Sequence, residues 1–172
     1  MGFAGATSIA AMTTAASVLQ VLERRGATLV TAESITGGRV AALLTAVPGS
    51  SVSFVGGVVA YAVTVKESVL GVPRTLIERH GVVSAECARS MAEGARALTG
   101  ATWAVRTTGV AGPGEQDGVP PGTVYVGVAG PGGPTAVALE LSGDRAAVQE
   151  RATREALSAL QAILDEEETR LG

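Results

Sequence analysis

Apolar positions along the chain switch repeatedly between helical and extended spacing. Thr13 or Thr14 is placed to cap a first helix in which Ala15, Val18, Leu19 and Leu22 share one face, and Gly26 ends it. Thr28 to Ala32 reads as a short buried strand. After the turn Glu33–Gly38, the run Val40, Leu43, Leu44, Val47 returns to helical spacing until Pro48-Gly49 stops it. Val52 to Tyr61 is apolar and β-rich, and a short helix follows around Lys66–Leu70 before Gly71-Val72-Pro73. Ser84 can cap a helix with Ala88, Met91, Ala92, Ala95 and Leu98 inward and Gly100 behind it. Trp103 to Thr107 is a strand, and 109–122 is a Gly/Pro-rich loop. Val124–Val128 and Thr135–Leu141 form a hairpin across a loop of several residues, Gly130-Pro131-Gly132-Gly133-Pro134. Asp144 can cap a long last helix with Val148, Ala152, Ala156, Leu160 and Ile163 on one face. Asp165–Glu168 sit at its negative dipole end, which predicts fraying there.

The resulting order is α, β, α, β, α, β, β, β, α. It predicts an α/β fold: a three-layer α/β/α sandwich on a mixed, mostly parallel sheet of about five strands. One domain is expected over 13–172, behind a flexible tail at 1–12. Open sheets of this kind bind ligands at the carboxyl ends of their strands. Glu33–Gly38, Tyr61–Lys66 and Thr108–Gly114 each follow a predicted strand, so parallel pairing would open all three onto one rim.

Composition narrows the function. The chain has 172 residues, 47% apolar and 17% charged, which excludes a disordered chain. A net charge of −3 argues against nucleic acid as partner. Single Cys and His residues exclude an internal disulfide and a Cys- or His-based metal cluster, and suit a reducing, cytoplasmic setting. Met1–Met12 has no basic n-region, and no run approaches the ~20 apolar residues of a spanning helix, so no membrane partner is expected. Aromatics at 3% leave little to stack on a flavin, and no cofactor is expected. Of 13 basic residues only Lys66 is lysine. Arginine stays protonated in proteins, whereas a desolvated lysine can lose its proton near neutral pH. A lone lysine in an arginine-rich chain is therefore either a residual surface residue or a site that needs a deprotonable amine.

Each candidate segment has a plain structural reading beside its chemical one. Ser34 or Thr36 in Glu33-Ser34-Ile35-Thr36-Gly37-Gly38 can be a helix cap, or Ser34 a nucleophile with the turn's N–H groups as oxyanion donors. Lys66 can start a solvated helix, or take the Ser34 proton with Tyr61 holding the lysine or relaying the proton. His80 stands in a polar turn. The loop Thr108-Gly109-Val110-Ala111-Gly112-Pro113-Gly114 can be merely mobile, or form an anion-binding nest. Arg145 is either ion-paired in solvent or a bidentate anion ligand, and Cys87 is a buried helix residue.

Together these segments resemble the CinA C-terminal-domain family, the nicotinamide-nucleotide amidohydrolases. The similarity runs through Ala32-Glu33-Ser34-x-Thr36-Gly37-Gly38, Val47-Pro48-Gly49-Ser50-Ser51, Gly56–Tyr61, Lys66 with Leu70-Gly71-Val72, His80–Ser84, Met91–Arg96, Thr108–Gly114, Gly122–Tyr125 and Gly143-Asp144-Arg145, in the family's order from about Met12 to the last helix. The resemblance implies the α/β/α fold and hydrolysis of nicotinamide mononucleotide to nicotinate mononucleotide and ammonia. It implies a metal-free serine–lysine mechanism with Ser34 as nucleophile, Lys66 as base and Tyr61 assisting, and with Thr108 and Arg145 helping to bind substrate. Glu33, Thr36, Gly37, Gly38, Gly109, Gly112 and Gly114 fall in segments expected to contact it. Many relatives carry Cys where Ile35 stands and a Ser-Asn pair within Ala62-Val63-Thr64, and some carry a separate N-terminal domain. The competing reading is a catalytically silent nucleotide-binding module of competence or damage response. A homo-oligomer is common for such small domains and is expected here.

Overall fold

The computed structural model describes residues 9–171. In chain order the elements are α1 (Ile9–Arg24), β1 (Leu29–Glu33), α2 (Arg39–Thr45), β2 (Phe54–Val59), α3 (Val63–Ser68), α4 (Arg74–His80), α5 (Ala85–Thr99), β3 (Trp103–Gly109), β4 (Thr123–Gly130), β5 (Gly133–Glu140) and α6 (Arg145–Leu171). A 3₁₀ turn at Ser50–Val52 leads into β2. The sheet order is β2-β1-β3-β4-β5. β2, β1 and β3 pair in parallel, while β3–β4 and β4–β5 are antiparallel, so β4 alone runs against the rest. The α/β/α sandwich with a mixed, mostly parallel sheet is thus the observed fold.

The local expectations hold where chemistry is local. Ser84 Oγ accepts the Cys87 N–H at 3.1 Å, and Asp144 Oδ1 accepts the Ala147 N–H at 2.9 Å, each satisfying an orphan donor of a first helical turn. Others are corrected. Helix α1 begins at Ile9, so residues 9–12 are helical; Thr13 and Thr14 are interior and donate back to the Ile9 and Ala10 carbonyls at 2.9 and 3.0 Å. The remainder of the expected tail, 1–8, lies outside the described residues. Helix α4 was not expected from the sequence, because none of its residues is buried and it carries no apolar stripe to read. Leu98 is 54% exposed rather than inward. The hairpin turns through Pro131-Gly132 alone, with Gly130 already paired to Gly133.

The acidic end of α6 does not fray. Arg25 reaches Glu167 at 3.0 Å and donates to the Leu164 carbonyl at 2.7 Å, and Arg24 meets Glu168 at 3.4 Å. Cations at the end of α1 and in the turn after it thus offset the dipole that the sequence shows in isolation.

The two sheet faces are filled differently. Helices α1, α2 and α6 cover one with Leu22, Leu44, Leu157, Leu160 and Leu164, packed with Trp103. Helix α5 covers the other, where Met91 packs among Ala32, Ala60, Ala92, Ala104 and Ala129. Small residues bring backbones close. A Cβ added at Gly94 on α5 would collide with the Leu70 carbonyl, so this glycine lets α5 seat against the segment that follows α3. Among the described residues, no helix is long and apolar enough to cross a membrane.

Candidate active site

Because β1, β2 and β3 are parallel, the loops leaving their carboxyl ends open onto one rim, as the order of elements predicts. The turn after β1 is built around Glu33. Its buried carboxylate accepts the Thr36 hydroxyl at 2.6 Å and the N–H groups of Gly38, Val40 and Ala41 at 3.0, 3.0 and 2.8 Å. Gly38, the N-cap of α2 in a left-handed conformation (φ 95°), has no side chain to cap with. The carboxylate five residues earlier does so instead, at the positive end of the helix.

That arrangement fixes Ser34. Its N–H donates to the Thr107 carbonyl at 3.0 Å, extending the β1–β3 pairing by one residue. The next carbonyl, on Ile35, accepts from the buried Gln149 Nε2 of α6 at 3.0 Å. Ser34 itself is 8% exposed.

Lys66 comes from α3 and is 2% exposed. Its Nζ lies 3.0 Å from Ser34 Oγ, 2.7 Å from the Ala60 carbonyl and 3.1 Å from the Tyr61 carbonyl. Nζ donates to all three as an ammonium; once deprotonated it can keep two N–H bonds on the carbonyls and turn its lone pair to the Ser34 hydroxyl. Burial is the main force that lowers the Lys66 pKa, to about 8; the Cys87 thiol opposes it and the Arg106 guanidinium assists. A base with a pKa near 8 is about one-tenth unprotonated at pH 7 and half unprotonated near pH 8.

The site opens into a cavity of about 390 Å³ lined by Ser34, Lys66, Tyr61, Thr108, Arg145 and the Gly109, Gly112 and Gly114 segment. That is within the usual range for a small-molecule site. Thr108 donates its hydroxyl to the Val82 carbonyl at 3.0 Å. Arg145 donates to the Gly112 carbonyl at 2.9 Å and to the Tyr61 hydroxyl at 3.0 Å, tying together the loops after β2 and β3 and the start of α6.

The expected site residues therefore divide. Ser34, Lys66, Tyr61, Thr108, Gly109, Gly112, Gly114 and Arg145 converge on one cavity. Glu33, Thr36, Gly37 and Gly38 do not line it. They brace the turn from behind: the Thr36 hydroxyl lies between Glu33 and Thr107, the Gly37 N–H goes to the Ser34 carbonyl at 3.1 Å, and the Gly38 N–H goes to Glu33. The Gly37 and Gly38 N–H groups are thus engaged and unavailable to an oxyanion, which corrects the expectation for that part of the turn. Tyr61 holds Lys66 through its main-chain carbonyl, while its hydroxyl oxygen accepts from Arg145 Nη2 at 3.0 Å. A direct relay through the phenol is not formed in this arrangement. His80 ends α4, with Glu86 as its charged neighbour at 3.9 Å.

Sequence reading missed the remainder of the lining. Glu115 and Gln116 stand in the Gly/Pro loop, whose position after a strand is the available signal. Val82 and Val83 lie between α4 and α5, follow no strand and carry no reactive group, so their one signal is membership of the family segment His80–Ser84. Ile35 and Val63, the two departures from the family pattern, also face the cavity.

Residues 11–164 match the model of the CinA C-terminal domain family. A CinA-like protein of Frankia casuarinae is 47% identical over 147 residues, covering 86% of this chain and 34% of its own length. A putative competence-damage inducible protein of Geobacillus kaustophilus is 49% identical over 79% of this chain and 33% of its own. The chain therefore spans about a third of the length of the curated relatives it matches. Among solved structures, the competence damage-inducible protein A of Klebsiella pneumoniae superposes with a TM-score of 0.87 at 36% identity, over 90% of this chain and 97% of that one. The competence/damage inducible protein of Agrobacterium tumefaciens gives 0.87 at 31% identity, over 92% and 97%.

Proposed function

We propose that this chain, which belongs to the CinA C-terminal domain family, is a serine–lysine amidohydrolase acting on the carboxamide of nicotinamide mononucleotide. The observation that carries the reading is the buried Lys66 amine, 3.0 Å from Ser34 Oγ, with its pKa drawn down to about 8. A serine hydroxyl is a weak nucleophile until a base takes its proton, and Lys66 is the group in position to do so.

The reaction then runs in balanced steps. Lys66 Nζ takes the Ser34 proton as Oγ attacks the carboxamide carbon, and the carbonyl oxygen becomes an oxyanion. Ile35, next to Ser34, lines the cavity, and among the described residues its N–H donates to no acceptor, which makes it the turn's donor for that oxyanion. The Lys66 ammonium returns its proton to the leaving nitrogen, the C–N bond breaks, and ammonia departs. Water, deprotonated by Lys66, cleaves the acyl-serine to nicotinate mononucleotide and restores Ser34. Arg145 and the Gly112–Gly114 segment supply the cationic and N–H partners that a nucleotide phosphate requires.

The test is ammonia release from nicotinamide mononucleotide by the protein beside Ser34→Ala and Lys66→Ala. Loss of at least about a hundredfold in each variant, with the fold retained, is expected. No release by the parent, with nucleotide binding intact, would replace the enzyme by the silent nucleotide-binding module.

A further inference from the structure

The turn that carries Ser34 is held from two directions. Backbone groups of the turn and of β3 hold most of it. The Ser34 N–H goes to the Thr107 carbonyl at 3.0 Å, the Gly37 N–H to the Ser34 carbonyl at 3.1 Å, and the Arg39 N–H to the Thr36 carbonyl at 3.1 Å. The Ile35 carbonyl is the exception. It accepts from Gln149 Nε2 of α6 at 3.0 Å, a contact between residues 114 apart in sequence. A carbonyl can only accept, so the side-chain amide must present its nitrogen there.

Gln149 is an unusual residue for its surroundings. It is 9% exposed, and Val148, Ala152 and Leu157 beside it on α6 are buried in the core. A buried amide loses its hydrogen bonds to water, and the bond to Ile35 offsets that loss. Gln149 does not line the cavity, but Arg145, one turn earlier on the same helix, does. Helix α6 therefore serves the site twice, with Arg145 at the cavity and Gln149 behind the nucleophile turn.

The bond from Gln149 holds the peptide plane between Ile35 and Thr36. The preceding plane, between Ser34 and Ile35, carries the Ile35 N–H, which donates to no acceptor among the described residues and belongs to a residue that lines the cavity. Planar peptides leave only φ and ψ of Ile35 as soft joints between the two planes. The Gly37 N–H restrains the first plane and Gln149 the second. Without the amide, the second plane can turn about these joints and carry the first with it.

We propose that Gln149 is a positioning residue for the nucleophile turn: its amide clamps the Ile35–Thr36 peptide from α6 and keeps the Ile35 N–H aimed at the place where the oxyanion forms. Oxyanion donors act by being aimed before the reaction, so a loosened donor costs rate rather than substrate binding. The catalytic consequence rests on the serine–lysine reading, but the clamp itself is measurable without turnover.

Two variants test it. Gln149→Met keeps the length of the side chain and removes the donor. Gln149→Glu keeps the shape and, when ionised, sets an acceptor against the Ile35 carbonyl. Ile35-Thr36 is the chain's single Ile-Thr pair, so isoleucine labelled with ¹³C at the carbonyl and threonine labelled with ¹⁵N give one coupled amide signal, from this peptide alone. That signal is expected to move in both variants. With the fold retained, kcat for ammonia release should fall about ten- to hundredfold, the scale of a misplaced catalytic group. KM should stay within about twofold of the parent's, and the pH limb of Lys66 should keep its midpoint. An unmoved amide signal, a kcat within about twofold of the parent's, or a fall in kcat that comes with a moved Lys66 limb would overturn the proposal. So would failure of both variants to fold, since Gln149 would then be held for the fold rather than for the turn. If the parent releases no ammonia, the amide signal still decides the clamp, and the amidase reading falls separately.

Discussion

On the face covered by α1, α2 and α6, the sheet is sealed by Leu22, Leu44, Leu157, Leu160 and Leu164, none of which touches solvent. On the face covered by α5, alanines predominate around Met91, Val30, Leu70 and Val72, and two basic side chains, Lys66 and Arg106, are withdrawn from water. Large aliphatic side chains remove far more apolar area from water than alanines, so the first face supplies more of the folding free energy. The second carries groups whose burial opposes folding. The difference teaches a division of labour: one face stabilises the sheet, and the other can tolerate the desolvated amine that the chemistry requires. Stability given up at an active site is a common trade in enzymes.

If the division is real, it can be broken one side at a time. The largest effect is expected from Ser34→Ala, which removes the nucleophile: at least about a hundredfold loss of ammonia release, with the unfolding midpoint in urea unchanged. Leu157→Ala, in the leucine face, should do the opposite. It is expected to cost about 2–5 kcal/mol of stability, read by denaturant titration, while release per folded molecule stays at the parent's level. Activity that falls with stability in that variant would mean the faces are not separable.

Lys66→Met sharpens the comparison further, because it should cost activity and add stability. The folded Lys66 pKa of about 8 lies below its ordinary 10.5. Between those values the unfolded chain holds more protons than the native one, so native stability rises with pH across that window. The cost of burying the amine is fully present below pH 8 and gone above 10.5. At pH 7, Lys66→Met is expected to stabilise the fold by up to about 3 kcal/mol, and the gain should shrink towards zero as pH is raised to 10.5. Gly94→Ala should destabilise by about 1–3 kcal/mol, by forcing α5 off the Leu70 carbonyl. Tyr61→Phe is the mildest. It removes one exposed hydrogen bond to Arg145, and a rise in KM of a few-fold with unchanged melting is expected, the scale of about 1 kcal/mol.

How much of this was legible beforehand depends on whether the cause was local. Ser34 and Lys66 stood out because a strand-to-helix turn presents a serine and because one lysine survives among arginines; both signals belong to short stretches of sequence. The caps at Ser84 and Asp144 are local in the same way. The neighbours of Glu33 in sequence suggest a binding turn, whereas its carboxylate is turned inward onto α2. The sequence predicts fraying at the end of α6 because the arginines that hold it come from the end of α1 and the turn after it, more than a hundred residues earlier. Arg106 reads as an ordinary basic residue in a strand; its complete burial depends on Gly127, across the β3–β4 pairing, where a Cβ would crowd its side chain. Residues that act through non-local packing leave no periodicity to find.

The account turns on a neutral Lys66 taking the Ser34 proton, and the pH dependence of ammonia release from nicotinamide mononucleotide tests it most directly. The rate under kcat/KM conditions should climb with pH along a single limb centred near the free protein's Lys66 pKa of about 8. The limb should vanish in Lys66→Met. A rate that is flat through this range, or a limb that survives the loss of Lys66, would contradict the account.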